Sequence, residues 1–181
     1  MRKDDLMVAS ANASSDEKIR LLETLVDAYE PNTISGIISM LDDSDIRVRG
    51  EAFSTLILNK NSISDTLTKS LDSPSEYVRG FVALILANRR ERGIIPEIVR
   101  RAHDPSSMVR SCVAGALGFL DAHDAKDVIH RLIQDSSMEV RRSALQAIFR
   151  MNDSISDYEA DAISKDSDSE IEMILAMTHR H

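Results

Sequence analysis

One short pattern recurs five times along this chain at a nearly constant interval. It reads DSDIRVRGEAFSTLIL, SPSEYVRGFVALILA, DPSSMVRSCVAGALGFL, DSSMEVRRSALQAIF and, degraded, DSDSEIEMILAMT. Each of the first four copies has turn residues, a capping residue, a Val-Arg pair and apolar residues at three- and four-residue spacing. The marker arginines Arg49, Arg79, Arg110 and Arg141, with Glu172 in the fifth place, are 30, 31, 31 and 31 residues apart. Self-similarity at this period means supersecondary units that bury their apolar faces only against one another. The expected fold is all-α, an α-solenoid of stacked helix pairs forming a single domain over 1–181.

Alignment on the marker shows why the repeated stretch is helical. Four residues before it stand Asp45, Ser75, Ser106, Ser137 and Asp168, all residue types that cap helix N-termini. One residue before it stand Val48, Val78, Val109, Val140 and Ile171. Three and four after it stand Ala52 and Phe53, Val82 and Ala83, Val113 and Ala114, Ala144 and Leu145. Seven after it stand Leu56, Leu86, Leu117 and Ile148. These positions share one face, so this B helix buries a stripe against the preceding A helix and against neighbouring copies. The expected units are an incomplete first copy at 15–30, full copies at 31–60, 61–91, 92–122 and 123–153, and a capping copy at 154–181. In the first copy Ile19-Arg20 takes the place of Val-Arg, and Ser15 or Asp16 caps the helix. Leu6 to Val8 could add a turn of helix before it. In the last copy Glu172 and His179 replace the arginine and the leucine, as suits a terminal unit with one side in water.

Composition narrows the function. The chain is 43% hydrophobic but only 4% aromatic and lacks Trp, so aliphatic side chains must build its interior. Its one cysteine, Cys112, cannot pair within the chain, which fits a reducing, cytoplasmic setting. The longest apolar run, Phe81 to Ala87, is too short to span a bilayer. Net charge is −8 but uneven: −5 over 1–80, +3 over 81–150 and −6 over 151–181. A pI near 5.1 and few aromatics speak against nucleic acid as partner.

The pattern Asp-x-x-x-x-Val-Arg-x-x-Ala-x-x-x-Leu at a period near 31 resembles the HEAT-like repeats named after the phycobilisome lyases. The resemblance covers 15–180 and implies a right-handed solenoid. It also implies a ladder of hydrogen-bonded charges between loop aspartates and helix-B arginines. The matching aspartates are Asp43, Asp104, Asp135 and Asp166, six before the marker, while the second full copy departs with Ser73 there and Asp72 one residue earlier. Deoxyhypusine hydroxylases, built on similar repeats, place His-Glu pairs just after the motif to hold iron. Here those places read Gly50-Glu51, Gly80-Phe81, Ser111-Cys112 and Arg142-Ser143, so no metal, cofactor or catalytic residue is expected. The bilin lyases and repeat-built DNA glycosylases that share this architecture leave no matching chemical signature either. Gly115 and Gly118 lie inside a repeat helix and read as close-packing positions.

What remains is a non-enzymatic scaffold that binds an acidic protein or peptide, as a monomer or weak dimer. The alternative is a subunit of a lyase- or hydroxylase-type complex. Positions two, five and nine after the marker should face the concave side or its edge, which offers Phe81, Leu84 and Phe119 as apolar anchors. Arg89, Arg90, Arg92, Arg100 and Arg101 surround the turn between two copies and would supply a local positive field.

Overall fold

The computed structural model describes residues 13–164, 167 and 169–178. The expected turn at Leu6 to Val8, the loop aspartate Asp166, the cap Asp168 and His179 lie outside the described residues. All regular structure among the described residues is helical, and the chain is an α-solenoid of paired helices. It divides into two compact units, 1–89 and 90–181, close to the expected repeat boundary at 91 and 92.

The first unit holds α1 (Ser15–Glu23), α2 (Pro31–Ser39), α3 (Ile46–Leu58), α4 (Ser64–Ser70) and α5 (Glu76–Asn88). A short 3-10 turn, Met40–Asp42, follows α2. Here the B helices are α3 and α5, and the apolar stripe read from the repeat is their buried face: Val48, Ala52 and Leu56 on α3, Val82, Ala83 and Leu86 on α5, all without accessible surface. Ile34, Ile37 and Leu41 meet them from the α2 side, Leu67 from α4 and Leu22 from α1. Pro31 occupies the first position of α2, where a missing amide costs no intrahelical bond. Ser14, rather than Ser15 or Asp16, caps α1: its hydroxyl accepts from the Glu17 amide while the Glu17 carboxylate accepts from the Ser14 amide.

The second unit holds α6 (Ile95–Arg100), α7 (Ser107–Phe119), α8 (Lys126–Leu132), α9 (Met138–Arg150), α10 (Asp157–Ser164) and α11 (Ser169–Thr178). Its A helices α6 and α8 are short and entered through 3-10 turns at Arg92–Ile94 and His123–Ala125. Val109, Val113, Leu117, Val140, Leu145 and Ile148 are buried along the facing sides of α7 and α9. Gly118 lets these two helices approach closely, since a β-carbon there would stand 2.5 Å from the Ala147 Cβ and 2.7 Å from its Cα.

One local expectation needs correction. Asp45 and Ser75 cap with their side chains, but Ser106 and Ser137 make no side-chain cap bond. Asp104 and Asp135 instead accept from the Ser106 and Ser137 amides at 2.9 and 2.8 Å and hold the turn before each helix. The chain also leaves B helices through left-handed residues at a regular interval: Arg90 (φ 61°), Asp121 (φ 53°) and Asn152 (φ 52°). Asp and Asn tolerate that conformation, whereas Arg is unusual there.

Candidate functional site

A ladder of charges exists, in which the loop aspartates Asp43 and Asp135 bond cations of the preceding copy. Each marker arginine turns one nitrogen, Nη1, back on its own loop and donates it to main-chain carbonyls. Arg49 Nη1 reaches the Asp43 carbonyl at 2.7 Å, Arg79 Nη1 the Ser73 carbonyl at 2.9 Å, Arg110 Nη1 the Asp104 carbonyl at 2.9 Å and Arg141 Nη1 the Asp135 carbonyl at 3.0 Å. The loop aspartate's carboxylate serves the copy before it. Arg110 grips Asp135 with two parallel bonds, Nε to Oδ2 at 2.7 Å and Nη2 to Oδ1 at 2.8 Å. The guanidinium beside Asp135 holds its carboxyl below the usual carboxylate range.

In the first unit Lys18 Nζ reaches Asp43 Oδ2 at 2.7 Å in the same register. Lys18 stands 31 residues before Arg49, so it, and not Arg20, is the first copy's marker. The Ile19-Arg20 dipeptide imitates Val-Arg and hides this from the sequence, although the 31-residue interval could have found it.

The ladder is interrupted at the next rung. Asp43 and Asp135 use one oxygen to accept an amide two residues on, at 2.9 and 2.8 Å, and the carboxylate to hold a cation. Ser73 keeps the first bond, from the Ser75 amide at 3.2 Å, and has no second oxygen. No carboxylate pairs with Arg49 among the described residues, and its buried Nε has no hydrogen-bond partner there. The guanidinium lies 5.0 Å over the Tyr77 ring instead.

Arg49 stands at the edge of a groove of about 250 Å³ lined by Ile46, Arg49, Gly50, Phe53, Phe81 and Leu84. Except for the guanidinium this lining is apolar, and it is open: Ile46 is 72% exposed. Phe53 and Phe81 meet edge to face at 6.0 Å, and Tyr77 stacks on Phe81 at 6.1 Å. Thus the structure places Phe81 and Leu84 on one concavity. Phe53, Ile46 and Gly50, which join them, were not apparent from the sequence. Phe53 sits at a repeat position that is buried as Ala83, Ala114 and Leu145 in the other full copies, whereas in α3 that side chain is part-exposed.

The other expected binding residues are distributed. Arg89 is tied to the main chain of its own unit, with Nη1 donating to the Leu56 and Asn59 carbonyls and Nη2 to the Asn61 carbonyl at 2.8 Å. In the second unit Arg90 and Arg150 both lie over the Phe119 ring, at 4.6 and 4.8 Å. Arg92 is exposed, Arg100 approaches Glu97 at 3.5 Å, and Arg101 is half-buried. Cys112 is an inert thiol: burial, helped by the charge of Glu139, pushes it up to about 12. His130 lies between Glu159 (2.8 Å) and Asp153 (3.4 Å). Among the described residues no group of three His, Cys, Asp or Glu could hold a metal ion, and no helix is long and apolar enough to cross a membrane.

Residues 64–149 match the family model for HEAT repeats. No curated protein gives a significant sequence match. Among solved structures the chain is similar to YibA of Escherichia coli, with 20% identity over 98% of this chain and 70% of that one, at a TM-score of 0.67. It is similar to the complex of CpcE and CpcF of phycocyanin lyase from Nostoc, with 17% identity over 97% of this chain and 74% of that one, at 0.57. A designed armadillo repeat protein in complex with the peptide (KR)4 has 16% identity over 98% of this chain and 97% of that one, at 0.56. At these identities the likeness is one of fold.

Proposed function

We propose that this chain is a non-enzymatic helical-repeat module that binds a peptide segment of another protein, seating an apolar side chain between α3 and α5. The observation that carries this reading is the open groove of Ile46, Phe53, Phe81 and Leu84 with a guanidinium at its edge. Side chains of this kind, held on packed helices, give a ligand apolar area to cover without first ordering the site. The fold is one on which peptide recognition has been built, as in the designed armadillo protein that holds (KR)4. The alternative, a subunit of an enzyme complex, draws on the fold likeness to the phycocyanin lyase complex and on no constellation of residues here. The lone, inert Cys112 fits a reducing cytoplasm.

A displayed peptide library selected against the full chain tests the proposal. Enriched peptides should share an apolar residue, and Phe81→Ala or Leu84→Ala should weaken them at least about tenfold, the scale on which central apolar anchors act. Thermal melts would confirm that each variant folds. Binding unchanged by both substitutions, or no enrichment at all, overturns the reading.

A further inference from the structure

Arg49 is the marker arginine whose following copy carries no acid at the loop position. Where Arg110 finds the two oxygens of Asp135, Arg49 faces a copy that carries Ser73. The Ser73 hydroxyl reproduces the turn-holding bond alone. What Arg110 spends on a carboxylate, its Nε and Nη2, is in Arg49 turned to no carboxylate, and the Arg49 Nε is buried without a hydrogen-bond partner among the described residues. A planar fork of this kind is matched by a carboxylate, which takes two parallel bonds from it. The same guanidinium borders the apolar groove.

Resting on the peptide-binding reading above, we infer that the partner supplies the missing rung: an internal Asp or Glu side chain bonds Arg49 while a neighbouring apolar side chain fills the groove. A side-chain carboxylate fits better than a chain terminus. Arg49, Gly50, Phe53, Phe81 and Leu84 lie inside helices, whose amides are spent on the helices themselves, and the amide of Ile46, the first residue of α3, is by itself no cradle for a terminal carboxylate. The groove is open and admits a chain that runs on past it. Tyr77, 39% exposed and lying on the guanidinium, is the ring that moves to admit the acid. Charge complementarity and apolar lining thus select one occupant, an acidic residue beside an apolar one within an extended segment.

The test uses the full chain, isotope-labelled, and degenerate N-acetylated, C-amidated decapeptides with a central Asp-Leu pair. A matched pool carries Asn-Leu, and a third carries a free C-terminal Leu and no acidic residue. At neutral pH the Asp-Leu pool should shift the Arg49 Nε–H and Gly50 amide resonances and bind at least about tenfold tighter than the Asn-Leu pool, the difference a charge-assisted bond makes. Ser73→Asp should fill the rung from within. It should raise the melting temperature and lower Asp-Leu binding to the Asn-Leu level, while leaving Asn-Leu binding as it was. Equal binding of the Asp-Leu and Asn-Leu pools overturns this inference but leaves the peptide reading standing, as does Asp-Leu binding indifferent to Ser73→Asp. The free-terminus pool binding as well as Asp-Leu shows the acid to be a chain end and also overturns it. Binding by none of the pools overturns both readings.

Discussion

Arg110 and Arg49 occupy the same place in the repeat and should respond to mutation very differently. Arg110 and Asp135 are only 15% and 11% exposed, so removing the arginine strands a largely buried carboxylate. Arg110→Ala should cost about 3 kcal/mol, the scale for breaking such a pair from one side. Arg49→Ala leaves no carboxylate behind. It loses donations to the Asp43 and Ser44 carbonyls and the contact with Tyr77, which together should cost nearer 1 kcal/mol. Urea unfolding of the two variants separates these outcomes. The pH dependence has a definite sign. The folded-state pKa of Asp135 is depressed by the Arg110 hydrogen bond, so its contribution is fully present above the unfolded value of about 3.9 and is lost as pH falls through the folded one. In Asp135→Asn that part of the acid destabilisation should vanish, leaving a flatter stability profile below about pH 4. The sequence made the marker arginines and loop aspartates visible at once. It did not say which of them meet, because spacing along the chain fixes register but not whether a side chain turns to its own loop or to the next copy. The interrupted rung was nevertheless legible, since Ser73 breaks a column of aspartates.

At the scale of elements, two helical glycines with opposite surroundings make a matched test. Gly118 lies where α7 and α9 come closest, and its missing β-carbon would collide with both the Cβ and the backbone of Ala147. Backbone cannot yield as a flexible side chain does, so Gly118→Ala should destabilise the second unit by about 1–3 kcal/mol despite the better helix propensity of alanine. Gly50 on α3 has nothing within 4 Å of a built β-carbon. Gly50→Ala should therefore gain roughly 0.5–1 kcal/mol from propensity alone. Denaturant midpoints of the two variants moving in the same direction would contradict this account of the α7–α9 contact. Helix positions themselves were readable: the repeat starts B helices after Ser75, Ser106 and Ser137, and they are found at Glu76–Asn88, Ser107–Phe119 and Met138–Arg150. Three A helices, α2, α6 and α8, adjoin short 3-10 turns, as at Arg101–His103. Apolar periodicity does not distinguish these tighter turns from α-helix over so few residues. The groove was half legible. Phe81 and Leu84 follow from their position, whereas Phe53 falls on a repeat position that reads as core and only its exposure reveals otherwise.

Over the whole molecule the governing quantity is charge. The chain carries −8, and several of its cations are already engaged: Arg47 with Asp16 and Asp45, Lys18 with Asp43, Arg110 with Asp135 and Arg89 with main-chain carbonyls. Binding to a nucleic acid depends on releasing many counterions at once, and each phosphate must find a cation able to face it. A polyphosphate should therefore meet a repulsive long-range field, which the cations already paired do little to offset. The cost falls with the charge of the ligand and is screened beyond roughly 8 Å at physiological salt, so a short segment with one or two carboxylates is barely affected. A field of this sign should oppose a polyanion yet tolerate the lightly acidic, partly apolar segment proposed for the Arg49 groove. Mobility-shift titrations with duplex DNA and with RNA at physiological salt should show dissociation constants no tighter than about 10⁻⁴ M, the weak end of non-specific association. A sub-micromolar complex that weakens steeply with added salt would show that the arginines on Phe119, Arg90 and Arg150, serve phosphates, and would displace the peptide reading.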